Sequence, residues 1–440
     1  MVPKLGGLRA TCCSRLGSNT QTPKRSIADW SHVTASVSSM RVSNPIRDIV
    51  DQLDLSKCNK EKDLIPLSIG DPTKFGNMDT DRTVSGAILS SVHTGLYNGY
   101  PPSDGFVESR QAVADLYSTE EHPLHADDVS LTSGCSHALQ MSIEVLCNPG
   151  DTLLIPNPGF PLYKTIADHL NVKTRTYELL PNRGWEADVE QLRRELRAEP
   201  VKGALLVNNP SNPCGSVYTK AHLEELLALA EEFKLPVIAD EIYADMVFDG
   251  FDFYAMADLT ATVPVLSAGG MSKRYLVPGW RLGWVIAYDK QGILKDGGVL
   301  HGLKQLTQII VGPNSLMQSI VPTVLQRTDP MFYDKTMATL QSHANFTIER
   351  LSMVDGLTPV PPQGAMYVMV GIDVDGLGVA SDVDFAQRLL EEESVFVLPG
   401  QCFGTPNYFR IVTCPPLNKL GEAYDRIAAF CKRLGAPTAA

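Results

Sequence analysis

No run in these 440 residues approaches the ~20 consecutive apolar positions that a membrane-spanning helix requires. The nine cysteines, at 12, 13, 58, 135, 147, 214, 402, 414 and 431, are odd in number and never stand as a CxxC pair. That opposes a disulfide framework and a paired-cysteine zinc site, and points to free thiols in a reducing compartment, the cytoplasm. No GxGxxG follows an early strand, so a nucleotide-binding dehydrogenase is a poor fit. Basic residues are in deficit: 38 Lys and Arg face 50 Asp and Glu, for a net charge of -12. A general nucleic-acid binder would show the opposite balance. Acidic residues are absent before Asp29, where Lys4, Arg9, Arg15, Lys24 and Arg25 sit among Ser and Thr. Such a stretch can be a mitochondrial presequence, yet Pro3, Gly6, Gly7 and Pro23 oppose the amphipathic helix it would need. Residues 1–35 are therefore read as a disordered or targeting tail.

What is present belongs to an ordinary soluble globular protein: 44% hydrophobic and 20% charged residues. The length suits two to four domains with a sizeable core. A short helix is expected over 46–53 and a strand over 64–69, stopped by Gly70-Asp71-Pro72. Helices are expected over 104–117, 136–147, 163–170 and 221–234, the last with Thr219 as its cap. Strands are expected over 152–155, 204–207, 236–239, 263–266 and 284–287. This alternation predicts a largely parallel sheet covered by helices, with ligand sites at the carboxyl ends of its strands. The last third changes character. Helices over 331–351, 382–392 and 417–434 accompany strands over 365–370, 395–398 and 408–412, with a Pro-rich turn at 359–362. This reads as a smaller α+β domain, joined by residues from the other end of the chain.

Polar residues that do chemistry cluster after these strands. Lys273 follows Gly270-Met271-Ser272 and precedes Pro278-Gly279-Trp280-Arg281-Leu282-Gly283. Small flanking residues leave room for a planar ligand, and Arg281 offers forked donors to a phosphate. A lone lysine among glycines is more often a solvated loop residue, so the case depends on its company. Asp240 ends a buried strand. A carboxylate there can pair with a pyridinium nitrogen, or merely cap the turn beyond the strand. Tyr243 can offer a hydroxyl, while the intervening Glu241 reads as solvated or ion-paired. Asn212 stands between two prolines, which is a turn at the least and a pre-positioned amide at most. Thr132-Ser133-Gly134-Cys135-Ser136 opens a helix, whose first N–H groups suit a phosphate. Cys135 reads as small, with no task for its sulfur. His122 and His125 read as a solvated loop with no third metal ligand.

Taken together, Asn-Pro-Ser-Asn-Pro-Cys-Gly at 209–215, Asp-Glu-Ile-Tyr at 240–243 and the whole run 270–283 resemble the class I aminotransferases. They are most similar to the tyrosine-using members. The resemblance covers about residues 36–435. It implies an α/β, fold type I pyridoxal-phosphate transferase, with a mostly parallel seven-stranded sheet between helices in a large domain, plus a smaller α+β domain. It implies pyridoxal 5′-phosphate bound to Lys273 as a Schiff base, with Lys273 then carrying the proton. Asp240 would pair with the pyridine nitrogen, and Asn212 and Tyr243 with the phenolic oxygen. Gly134, Cys135, Ser136, Ser272 and Arg281 would surround the phosphate. Gly270 stands where many relatives place a phosphate-binding serine. Phe160 would stack on the ring, Arg410 would grip the substrate α-carboxylate, and Gly70 and Asn212 would lie beside it. Tyr100 would reach the phosphate of a partner subunit, which implies a homodimer with shared sites.

The expected organisation is a tail at 1–35, an N-terminal segment at 36–72, a large domain at 73–330 and a small domain at 331–440. The expected reaction moves the amino group of an aromatic L-amino acid, tyrosine first, to a 2-oxo acid. Alanine-type or broad-specificity transfer, C–S β-lyase chemistry and cyclopropane-forming synthesis share the fold and stay open. A transcriptional regulator on this fold would need a basic helix-turn-helix domain, for which the Gly- and Pro-broken N-terminus is too short.

Overall fold

The computed structural model describes residues 33–51 and 55–435. The basic N-terminal stretch, with Cys12 and Cys13, lies outside the described residues, as does the end of the helix expected over 46–53. That helix is seen as Pro45–Val50, capped by the Asn44 side chain, which accepts from the N–H groups of Ile46 and Arg47.

Fourteen strands are described: β1 Ile65–Pro66, β2 Val129–Thr132, β3 Thr152–Asn157, β4 Lys173–Leu180, β5 Glu186–Ala187, β6 Gly203–Asn208, β7 Val237–Asp240, β8 Val265–Gly270, β9 Gly283–Tyr288, β10 Leu357–Val360, β11 Tyr367–Ile372, β12 Val395–Phe396, β13 Leu398–Pro399 and β14 Tyr408–Val412. The large sheet runs β2-β9-β8-β7-β6-β3-β4-β5. It has eight strands, not the seven that the resemblance implied. The eighth is the two-residue β5, folded back antiparallel on β4.

The central strands are apolar throughout because both their faces are covered. Alternation along each strand divides the core. Leu205, Val207, Val237, Ala239 and Val265 face one layer, with Leu223, Leu226, Leu227, Leu229 and Ala230 of the Lys220–Phe233 helix. Ala204, Leu206, Ile238, Leu266 and Ala268 face the other, with Ala138, Leu139, Met141 and Ile143 of the Cys135–Leu146 helix. Thr219 caps its helix by accepting from the N–H of His222, as expected.

Strand β9 is antiparallel to both its neighbours, β8 and β2. Its first residue, Gly283, is therefore in register with Thr132 and Gly270, the last residues of β2 and β8. Asn208 and Asp240 pair at the ends of β6 and β7. One edge of the sheet thus collects these polar strand ends.

The smaller sheet is antiparallel, in the order β10-β11-β14-β13, and β1 pairs in parallel with β12. Three expectations need correction. The strand expected over 64–69 is only Ile65–Pro66. The run 395–398 is two strands, with β12 turned to β1 and β13 to β14. The Pro-rich segment begins as β10, an edge strand, where a proline without an N–H costs no ladder bond. Expected helix ends also moved: the first long helix starts at Val107, not 104. The Arg82–Thr94 and Val189–Ala198 helices and the half-polar β4 were not anticipated, although Val189, Leu192 and Leu196 recur at helical spacing.

The small-domain core centres on Phe385, stacked on Phe409 at 5.4 Å between centroids and edge-on to Phe430 at 5.3 Å. Phe385→Ala is expected to cost about 3–5 kcal/mol, the usual penalty for such a cavity. A denaturant titration followed by circular dichroism checks this. A loss under about 1 kcal/mol would contradict the packing described.

Candidate active site

A cavity of about 660 Å³ opens at the strand-end edge. Its wall includes Lys273, Asp240, Asn212, Tyr243, Cys135, Ser136, Ser272, Arg281, Phe160, Gly70 and Arg410. Eleven residues singled out from separate parts of the sequence therefore share one space. Tyr100 does not. It stands 92% exposed, beside Ile310 and Val311 in a separate cleft.

Asp240 ends β7 and is 2% exposed. Burial raises its pKa, while hydrogen bonds lower it. Those bonds come from the Tyr163 hydroxyl at 2.6 Å, the Ile242 N–H at 3.3 Å and the Cys135 thiol at 3.7 Å. The Cys135 sulfur thus has a partner, contrary to the expectation that it is idle. A buried carboxyl so held is suited to a cationic N–H.

Gly134 precedes the Cys135–Leu146 helix with φ 78°, a value that favours glycine. An added Cβ would lie 2.5 Å from Arg281 Nη2. The close approach brings the guanidinium against the helix N-terminus, whose first amides have no intrahelical acceptor. Arg281 is exposed to the cavity and donates to the carbonyl of Pro278 at 3.0 Å. With the Ser136 and Ser272 side chains nearby on the wall, this end suits a phosphate. At Gly270 an added Cβ would come within 2.9 Å of the Leu282 carbonyl, so a serine would not fit without a shift.

Lys273 donates to the carbonyl of Gly70 at 2.7 Å, and its Nζ lies 5.8 Å from the Tyr243 ring centre. Asn212 is fixed by its own N–H, which donates to Asn208 Oδ1 at 2.8 Å. Its Oδ1 accepts from Arg410 Nη1 at 2.9 Å, leaving the amide NH₂ to donate elsewhere.

Arg410 is 3% exposed and also donates to the carbonyl of Ser68 at 2.7 Å. Its guanidinium carbon lies 4.5 Å from the Tyr367 ring centre and 4.8 Å from that of Phe403. Its Nε has no partner, and no carboxylate pairs with it among the described residues. A buried guanidinium held only by neutral oxygens and ring faces is a receptor for an incoming carboxylate.

Sequence reasoning missed Tyr163 and Tyr367, whose roles arise only from tertiary contacts. It also missed Ile46, Arg47 and Val50, which line the cavity mouth. Two minor expectations are overturned. His122 is buried and edge-on to Tyr288, not solvated. Glu241 forms no ion pair among the described residues. It accepts from the Ser267 hydroxyl and, at 2.8 Å, from the Met256 N–H.

Burial pushes the Glu241 carboxyl from the ordinary 4.5 up to about 7, against those two hydrogen bonds, which lower it. Its contribution to stability is complete below the unfolded value and is lost as pH rises through about 7. Glu241→Gln removes that titration. The melting temperature of the variant relative to the parent is expected to rise from pH 5 to pH 8. A difference that stays flat over this range would refute the assignment.

The family model for aminotransferase class I and II matches residues 62–427. The chain is 46% identical over 407 residues to tyrosine aminotransferase from Mus musculus, covering 92% of this chain and 88% of that one. It is 46% identical over 405 residues to tyrosine aminotransferase from Dictyostelium discoideum, covering 91% and 96%. The crystal structure of tyrosine aminotransferase from Leishmania infantum superposes with a TM-score of 0.86 at 33% identity, covering 91% and 98%. The strand-end cavity and these likenesses agree, and the chain belongs to the class I and II aminotransferase family.

Proposed function

We propose that this protein transfers the amino group of an aromatic L-amino acid, tyrosine first, to a 2-oxo acid in a ping-pong cycle. One observation carries the reading: a buried, hydrogen-bonded Asp240 shares a cavity with Lys273 and with an Arg410 that lacks a counter-anion. The curated relatives named above support the aromatic donor. So does the apolar wall formed by Ile46, Val50, Ile69, Phe396 and Leu398.

Pyridoxal 5′-phosphate, the cofactor of the family, supplies an electron sink when bound. The Cys135–Leu146 helix N-terminus, Gly134, Ser136, Ser272 and Arg281 would hold its phosphate. Phe160 offers a ring face. Asp240 would pair with the pyridine nitrogen, and the Asn212 amide and Tyr243 hydroxyl would donate to the phenolic oxygen. Lys273 Nζ is the nucleophile and takes the proton from the substrate Cα. Arg410 binds the α-carboxylate beside Gly70 and so aims that Cα at Lys273. The Pro45–Val50 helix, seated on Phe396 and Leu398 through Ile46 and Val50, keeps water from the mouth.

We divide the chain into a segment at 36–72 that joins a small domain at 331–440, and a large domain at 73–330. No helix among the described residues is long and apolar enough to cross a membrane. Cys135, Cys147, Cys214, Cys402, Cys414 and Cys431 are free thiols, in keeping with the cytoplasm.

The working unit is a homodimer. Tyr100 shares a cleft with Ile310 and Val311, and Leu96 and Ile309, close to them in the chain, are exposed, apolar surface that asks to be covered. The double variant Leu96→Asp/Ile309→Asp is expected to elute at half the parent's mass in light scattering. A parent that is already monomeric would refute the homodimer, and a variant that remains dimeric would move the interface elsewhere.

The function itself is tested by a panel of donors against pyruvate, oxaloacetate and 2-oxoglutarate. Tyrosine is expected to transfer, and Lys273→Ala to lower turnover more than about 100-fold. No transfer from tyrosine, while another donor reacts, would refute the substrate class. Pyruvate and ammonia released from a cysteine conjugate without any acceptor would favour a lyase.

A further inference from the structure

We propose that Tyr367 is a positioning residue that serves two groups of the active site at once, steadying the Arg410 guanidinium with its ring and the Tyr243 hydroxyl with its own. The inference rests on the roles assigned above to Arg410 and Tyr243.

Register places it there. Tyr367 in β11 pairs with Val412 of β14, and Met369 pairs with Arg410. Tyr367 and Arg410 are therefore diagonal neighbours on one face, a separation that long side chains and rings bridge. The guanidinium carbon lies 4.5 Å from the Tyr367 ring centre and 4.8 Å from that of Phe403. The ring is 2% exposed, so water does not compete for the cation. An aromatic face attracts the guanidinium without neutralising it, which leaves Arg410 ready for a carboxylate.

The hydroxyl does a second task. It lies 2.6 Å from the Tyr243 hydroxyl, and the two rings meet edge to face at 5.7 Å. Only one proton can occupy the bond between two hydroxyls. If the Tyr243 proton points to the oxygen it serves in the cavity, the proton between the rings belongs to Tyr367. A donated bond makes Tyr243 the stronger donor in turn. The position is tightly limited. A Cβ on Gly70 would fall 2.6 Å from the Tyr367 oxygen, and the Gly70 carbonyl accepts from Lys273. The hydroxyl is thus wedged between Tyr243 and the turn that holds the lysine.

The two tasks separate in two variants of the holoenzyme. Tyr367→Phe keeps the ring and removes the hydroxyl, and Tyr367→Leu removes both. The readouts are the dissociation constant of 3-phenylpropionate, an unreactive aromatic carboxylate, and the pH midpoint of the cofactor's visible absorbance band. Tyr367→Phe is expected to bind 3-phenylpropionate within about twofold of the parent and to move the band midpoint up by about half a unit. Tyr367→Leu is expected to show the same movement and to bind the carboxylate roughly tenfold more weakly. Should Tyr367→Leu not fold, Tyr367→Met, also without a ring face, replaces it, and the Tyr367→Phe band decides alone if neither folds. A midpoint that stays or falls in Tyr367→Phe overturns the proposal, as does parental affinity in Tyr367→Leu. If the parent itself shows no band and no transfer, the underlying reading fails instead.

Discussion

A carboxyl group buried at the end of a central strand is the constraint on which the site depends. Asp240 sits where water cannot solvate it, so its charged form is costly unless neighbours supply hydrogen bonds. Three neighbours do so from three elements: Tyr163 from the helix after β3, Cys135 from the helix after β2, and the backbone of Ile242 from its own turn. The strand order determines which elements come within reach. Because β9 runs against its neighbours, the end of β2 returns to the same edge as β7 and β8, and the Cys135–Leu146 helix starts beside Asp240.

The same edge is completed from outside the large sheet. Arg410 and Tyr367 come from the small sheet, and Gly70 and Ser68 from the N-terminal segment. Lys273 and Arg410 each bond to a backbone carbonyl of that segment, three residues or fewer apart. Neither cation meets a carboxylate among the described residues. Two cations held by neutral oxygens in one cavity are an arrangement that an anionic substrate improves.

Much of this was legible in the sequence. Buried parallel strands read as short apolar runs, and the polar residues just after them fell at one edge, so Lys273, Asp240, Asn212, Tyr243 and Arg281 were found together. Elements exposed on one side were harder. In β4 only Tyr177 and Leu179 are fully buried, and the pattern Lys-Thr-Arg-Thr reads as a loop. Tyr163 and Tyr367 were invisible because an aromatic residue in a helix or strand ordinarily signals core. Glu241 was misread because nothing local shows that Ser267 and Met256 enclose it. The run 395–398 looked like one strand, since continuous apolar residues do not show that the chain leaves one partner for another at Val397.

The short strand β1 has a consequence for how the protein is made. It pairs with β12, and the carbonyl of Leu67, just past it, accepts from the N–H of Val412. Nearly 350 residues separate these partners in the chain. The floor of the cavity lies entirely between them and can order itself while synthesis continues. The pairing that holds Arg410 cannot, because one half is made before the floor and the other after it. Until then the 60s segment must wait without its partner strands, an apolar stretch that quality control can recognise. A message cut short after β9 but before codon 410 would yield a chain with a floor and no grip.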